Sequence, residues 1–223
     1  MEKKKVRAPF YCVNSQVLWK DEEAVKNAVL VDDKINQLEL DAIFTAASED
    51  VAKIGKVVKR LRIAIDFNDA KPNNLERLKE AGAEVIIFDD LEEIFNIENI
   101  LDIVKELGYL VLVRTEKPFE IPKAVLKDID LIKWKIKDGN GKFTISNLTT
   151  EHKKAVKEFK QENPHIALIY GAKENISSNL VLNSLIMGLD GFGEINCYRT
   201  TTEKREEMLH AVNDYKNVMA FIK

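Results

Sequence analysis

The sequence predicts an α/β protein, a single-domain (β/α)8 TIM barrel spanning residues 1–223. Three observations predict it. Eight short strand-like runs recur about 20–35 residues apart, close to the length of one βα unit. Amphipathic stretches with helical periodicity lie between them. No linker, low-complexity segment or shift in composition divides the chain, and its length is close to the roughly 250 residues usual for this fold. An open doubly wound sheet is the competing architecture. It lacks its phosphate-binding signature here, because no Gly-x-Gly-x-x-Gly follows the first strand.

The strands are expected at Phe10–Asn14, Ala42–Ala46, Arg62–Phe67, Glu84–Phe88, Leu110–Arg114, Leu131–Ile136, Ile166–Tyr170 and Gly191–Ile195. The first seven are almost continuously apolar. Strands buried on both faces read that way, and parallel sheets covered by helices are buried on both faces. Among the helices, Glu49–Leu61 places Val51, Ile54, Val57, Val58 and Leu61 on one stripe. Asn74–Ala81 stops at Gly82, Ile97–Leu107 at Gly108 and Ser177–Met187 at Gly188, each glycine a good C-cap. Thr149–Gln161 ends before Pro164, and Thr202–Ile222 follows a threonine-rich cap.

Charge and composition narrow the function classes. The chain has 34 Lys+Arg against 37 Asp+Glu, a formal charge of −3, with 45% hydrophobic and 32% charged residues. That mix excludes a disordered chain. It offers no basic footprint, so no nucleic-acid partner is expected. No apolar run approaches the roughly 20 residues that span a bilayer, so no membrane partner is expected. Met1–Arg7 is basic, but no apolar segment follows as in a secretory signal. Cys12 and Cys197 cannot build a disulfide framework, and a cytoplasmic location is expected. The composition is compatible with a homo-oligomer.

In a (β/α)8 barrel, function gathers at the C-terminal ends of the strands. Those ends carry Thr45 and Ser48, Asp66, Asp89 and Asp90, Arg114, Tyr170, Glu194 and Asn196. The sixth strand, Asp130-Leu-Ile-Lys-Trp-Lys-Ile-Lys-Asp-Gly, is the unusual one. Alternation puts Lys133, Lys135 and Lys137 on the face shared with Leu131, and Ile132, Trp134 and Ile136 on the other. The apolar set packs against helices, so the lysines point into the barrel. A lysine desolvated among other cations loses its proton readily and becomes a Schiff-base nucleophile. The competing structural role is snorkelling to water or pairing with Asp66, Asp89 and Glu194. Lys133 is expected deepest, Lys135 near the mouth and Lys137 at or beyond the strand end.

His152, His165 and His210 have no metal-ligand spacing, and no metal site is expected. Asp90 is expected to cap a helix, while Asp66 is kept as a site residue. The loops after the seventh and eighth strands contain Lys173 and Arg199, but capping by Thr200–Thr202 explains the second better than anion binding.

The sixth strand resembles that of the class I, Schiff-base aldolases. Leu131-Ile-Lys-Trp-Lys135 is similar to the lysine strand of the dihydrodipicolinate synthase/N-acetylneuraminate lyase family, with Lys135 in the Schiff-base place. Ile136-Lys137-Asp-Gly-Asn-Gly141 fits a register that makes Lys137 the nucleophile. Asp130-Leu-Ile-Lys133 is similar to the lysine strand of deoxyribose-phosphate aldolases and type I dehydroquinases. Asp41-Ala-Ile-Phe-Thr45-Ala-Ala-Ser-Glu49 resembles the second strand and carboxylate-binding Gly-Thr-Thr-Gly-Glu loop, with Ala46 and Ala47 in place of the two threonines. Leu189-Asp-Gly191-Phe-Gly193-Glu-Ile is similar to the eighth strand. The fifth strand departs: Val113 stands where the family has a proton-shuttling tyrosine.

The resemblance implies a divergent lyase acting on a small carbonyl or keto-acid substrate through a strand-six lysine. Lys135 is the preferred nucleophile, with Tyr170 or Asp66 moving protons. Thr45, Ser48 and Arg114 would hold a carboxylate, with Glu194 and Asn196 nearby. No cofactor is needed, since the iminium is itself the electron sink. The alternatives are a non-catalytic binding or assembly barrel, and a metal-assisted enzyme using Asp66, Asp89 and Glu194.

Overall fold

The computed structural model describes residues 6–14, 22–135, 150–172, 177–194 and 201–222. Its elements alternate along the chain. The first quarter runs β1 (Phe10–Asn14), α1 (Glu22–Leu38), β2 (Asp41–Thr45) and α2 (Val51–Gly55). Next come β3 (Arg62–Asp66), α3 (Phe67–Ala70), α4 (Leu75–Glu80) and β4 (Ala83–Phe88). Then follow α5 (Glu92–Phe95), α6 (Ile100–Glu106), β5 (Leu110–Thr115), α7 (Lys123–Leu126) and β6 (Leu131–Trp134). The last elements are α8 (Thr150–Glu162), β7 (Ala167–Ala172), α9 (Ser178–Ile186), β8 (Gly191–Glu194) and α10 (Thr202–Ile222).

All eight strands are parallel and close into a barrel in sequence order. Closure is made by β1 on β8, with Phe10 opposite Gly191 and Cys12 opposite Gly193. The expected pairing of the first and last strands is therefore present. Gly82, Gly108 and Gly188 all have positive φ just past α4, α6 and α9, which is where their missing Cβ lets each helix stop.

The core has two compartments. Phe10, Cys12, Ile43, Ala64, Val85 and Ile87 belong to the cluster inside the barrel, with Leu110, Leu112, Leu131, Ala167 and Ile169 completing its ring. A larger cluster lies between the strands and the helices, and includes Tyr11, Phe44, Phe88, Val111, Ile132, Tyr170 and Phe192. Seven of the strands, β1 to β7, thus place apolar residues on both faces, which explains the continuous apolar runs.

The N-terminal ends of the strands share one device. At the start of β2, β6 and β8 an aspartate accepts a backbone N–H at or just before the start of the preceding strand. Asp41 accepts from Arg7, Asp130 from Val111 and Asp190 from Leu168. Each carboxylate also meets a cation: Asp41 meets Arg7 and Arg60, Asp130 meets Lys105, and Asp190 meets Lys160. These bonds fix strand register where a slip would turn the interior set outward.

Two expectations need correction. The helix expected over Glu49–Leu61 ends at Gly55. Asp32 of α1 takes the backbone N–H groups of Lys59, Arg60 and Leu61, at 2.9, 2.8 and 2.7 Å, and holds that segment out of the helix. The apolar stripe did not distinguish a packed loop from a helical turn. The sixth strand stops at Trp134 rather than Ile136, although Lys135 still donates its N–H to the Thr115 carbonyl. Helix α1 buries Ala24, Ala28, Val31, Asp32 and Ile35, and its apolar stripe is faint in the sequence because two of these five residues are alanine and one is charged.

The clamps give a first expectation. Asp130→Ala or Asp190→Ala leaves a strand N–H and a lysine without their carboxylate. Each variant should lose about 2 kcal/mol in urea unfolding, whereas Asp102→Ala, on the exposed face of α6, should stay within about 0.5 kcal/mol of the parent.

Candidate active site

The interior face of the barrel reaches its C-terminal mouth at Thr45, Asp66, Asp89, Arg114 and Lys133. Register explains the arrangement. Arg114 on β5 is paired with Lys133 on β6, so two cations stand side by side inside the sheet. Arg114 meets two carboxylates. Its Nη1 lies 2.7 Å from Asp89 Oδ1 and 2.9 Å from Asp66 Oδ1, with the hydrogen bond directed at Asp89. Burial works against ionisation of Asp89, but the charge and hydrogen bond of Arg114, helped by Lys135 and Lys133, hold its carboxyl below the ordinary range. Asp66 goes the other way. Burial raises it, with Asp89 adding repulsion, and Arg114 offsets this only in part.

Lys133 receives no comparable partner. It is 2% exposed, and its Nζ donates to the backbone carbonyl of Glu194, 2.8 Å away. Among the described residues no carboxylate oxygen lies within ion-pairing distance of that amine. Burial lowers its proton affinity, and the neighbouring Arg114 charge lowers it further. Cys12, Glu194 and Asp66 pull in the opposite direction, and the balance brings the amine from 10.5 to about 8. Cys12 sits beside it, and burial pushes that thiol up to about 11. Such a thiol is inert, as expected for a buried cysteine.

The structure sorts the other expected site residues. Lys135 follows the strand, is half-buried, and donates Nζ to the Asp89 carbonyl at 3.1 Å. Lys137 and Asn196 lie outside the described residues, as do Cys197, Lys173 and Arg199. Thr45 is buried at the end of β2. Ser48 gives both its N–H and its hydroxyl to Asp69, at 2.6 and 3.0 Å, so its hydroxyl is already engaged. Arg114 is likewise committed to two aspartates, and the carboxylate-holding trio of Thr45, Ser48 and Arg114 is not assembled as an open site.

Two further residues face away from the mouth. Tyr170 belongs to the layer between strands and helices, where it stacks on Phe192 with centroids 5.7 Å apart. Burial drives its hydroxyl up to about 12, which does not suit a proton shuttle. Glu194 also points outward, to a buried ion pair with Arg205 of α10 at 2.8 Å. Only its backbone carbonyl serves the interior. The three carboxylates considered for a metal therefore do not converge, and among the described residues no group of three or more His, Cys, Asp or Glu side chains is placed to hold a cation.

Asp90 caps as expected, accepting the N–H of Glu93 at 3.0 Å. His152 packs edge-on against Trp134, and the His165 ring meets the Leu126 carbonyl. No helix among the described residues is long and apolar enough to cross a membrane. The residue that sequence reasoning missed is Gly193. A Cβ there would meet the end of Lys133, and the spacing Gly191-Phe-Gly193 on one strand was the available signal.

No family model and no curated protein matches the chain. Solved structures do. Triosephosphate isomerase from Bartonella henselae superposes with a TM-score of 0.64 at 14% identity, covering 94% of this chain and 99% of that one. A cube-shaped, highly porous protein cage designed by fusing symmetric oligomeric domains gives 0.57 at 13% identity, covering 94% of this chain and 72% of the cage chain. At these identities the likeness shows the TIM-barrel fold and nothing finer.

The lowered proton affinity of Lys133 has a consequence for stability. Between about pH 8 and 10.5 the unfolded chain keeps a proton on this lysine that the folded chain has released. Folding stability should therefore rise with pH across that window, and the cost of the buried charge should be complete below pH 8. Lys133→Met should be more stable than the parent at pH 7, with the difference shrinking toward pH 10.5, as read by urea unfolding at a series of pH values.

Proposed function

We propose that the protein is a barrel enzyme of carbonyl chemistry in which Lys133 forms an imine with a small aldehyde or ketone. The observation that carries this reading is the placement of Lys133: inside the barrel, beside Arg114, and bonded to a backbone carbonyl rather than a carboxylate. An ammonium in an ion pair holds its proton. An amine that titrates at about 8 is a free nucleophile in a useful fraction of molecules near neutral pH. The resemblance of Asp130-Leu-Ile-Lys133 to the lysine strand of deoxyribose-phosphate aldolases and type I dehydroquinases supports the same residue. Lys135, which holds the nucleophile's place in the dihydrodipicolinate synthase/N-acetylneuraminate lyase register, is at the rim and is left the role of binding.

The chemistry balances with groups already described. The unprotonated Nζ attacks the carbonyl carbon, a C–N bond forms, and the carbonyl oxygen becomes a hydroxyl. A second proton lets that oxygen leave as water, and the iminium remains. Asp66, whose carboxyl is raised by burial and stands at the end of β3, is the group suited to supply and recover that proton. The iminium then draws electrons from the adjacent carbon–carbon or carbon–hydrogen bond, so no cofactor is required for bond cleavage or proton exchange there.

The test is reductive trapping. The protein is treated with borohydride in the presence of glyceraldehyde, pyruvate, a triose phosphate and other small carbonyl compounds, and adducts are mapped by peptide mass. An adduct on the peptide carrying Lys133 is expected with at least one compound. It should disappear in Lys133→Met and persist in Lys135→Ala. Trapping confined to Lys135 moves the chemistry to the rim, and no adduct across the panel removes the imine mechanism.

A further inference from the structure

The eighth strand reads Gly191-Phe-Gly-Glu194, with both glycines on the interior face. Glycine weakens a strand, because it supplies no side chain and costs more conformational entropy. Neither glycine is required by the backbone, since the positive-φ glycines of the described chain are Gly82, Gly108 and Gly188. Space explains them instead. A Cβ at Gly191 would stand 2.9 Å from the Phe10 carbonyl oxygen and 3.0 Å from two carbons of its ring. A Cβ at Gly193 would stand 2.7 Å from Lys133 Cε, 3.0 Å from its Nζ and 3.1 Å from Cys12 Cβ. Ordinary carbon contacts begin near 3.5 Å, so these approaches leave no room for a methyl group. The lower glycine makes a berth for a phenyl ring. The upper one makes a berth for the end of a lysine that starts two strands away.

We infer that Gly193 is the positioning residue for Lys133: its bare interior face lets the lysine cross from β6 to β8 and end on the Glu194 carbonyl. The meaning of this for activity rests on the imine reading above, while the berth itself is geometry. With any side chain at 193, the amine must retreat toward the mouth. Asp66 and Asp89 stand there beside Arg114, so the displaced amine would gain carboxylates in place of a carbonyl. An ion-paired lysine keeps its proton and loses its nucleophilic fraction. Gly193 thus selects the unpaired placement of the amine over the paired one.

Two alanine variants on the same face of the same strand separate positioning from packing. The atoms displaced in Gly193→Ala are chiefly the flexible end of a lysine, so this variant should fold. Those displaced in Gly191→Ala include backbone, so it should lose more stability. Lysine side-chain NMR titration reads the amine directly, with Lys133→Arg identifying its resonance. In Gly193→Ala the Lys133 midpoint should rise by about one unit or more toward its ordinary value, and carbonyl trapping at pH 8 should fall about fivefold or more. In Gly191→Ala the midpoint should match the parent. An unmoved midpoint in Gly193→Ala, or an equal shift in Gly191→Ala, overturns the inference. If the parent traps no carbonyl compound, the imine reading fails and the titration still decides the berth. Should Gly193→Ala not fold, Lys133→Ala/Gly193→Ala decides: recovery of folding shows that the collision is with the lysine, and failure of both places it elsewhere and overturns the inference.

Discussion

Strand β8 closes the barrel while contributing no interior side chain at Gly191 or Gly193, and other strands fill the space it leaves. Phe10 fills the lower position and Lys133 the upper one. Closure therefore sets the place of a lysine lying across the barrel, because its hydrogen-bond acceptor is the Glu194 carbonyl at the end of the same strand. A buried ammonium is expensive unless it is paired or gives up its proton. The interior supplies two carboxylates near the mouth, but both are drawn to Arg114. Lys133 is left with a dipole instead of a counter-charge, and burial together with the Arg114 charge lowers its proton affinity.

The two ends of the barrel divide the work accordingly. At the N-terminal ends, Asp41, Asp130 and Asp190 each bind a strand N–H and a cation, with acid and base matched. At the C-terminal ends the matching is uneven: Asp66 is raised, Asp89 lowered, and Lys133 brought down by burial and by Arg114. The proposed imine chemistry would use these opposed shifts, since it needs a deprotonated amine beside a carboxyl that can carry a proton.

Outside the sheet, the same strands build a different layer. Tyr11, Phe192 and Tyr170 stack across β1, β8 and β7, with centroids 5.9 and 5.7 Å apart. Behind them Glu194 ties β8 to Arg205 at the start of α10. Residues 170 and 194 are thus at the right height for the mouth but on the wrong face. Their neighbours Ile169 and Gly193 face the interior. Sequence reasoning could locate the strand ends, but where both faces are apolar the alternation carries no label for inside and outside.

The sequence by itself determined the closed eight-stranded barrel, the glycine stops after α4, α6 and α9, the capping by Asp90, and the inward face of the sixth strand. These are local properties: spacing, periodicity and the polarity of alternate residues. On β6 the alternation was readable because Lys133 is charged and Ile132 and Trp134 are apolar. Tertiary structure alone decided which lysine loses its counter-charge. That choice needs the register of Arg114 beside Lys133, the capture of Arg114 by Asp66 and Asp89, and a glycine 60 residues further along the chain. It also decided that the segment 59–61 is a loop and not a helix, through one aspartate on α1. The physical reason is the same in each case: electrostatics and close packing act between residues distant in the chain, and no local pattern records which partner will arrive.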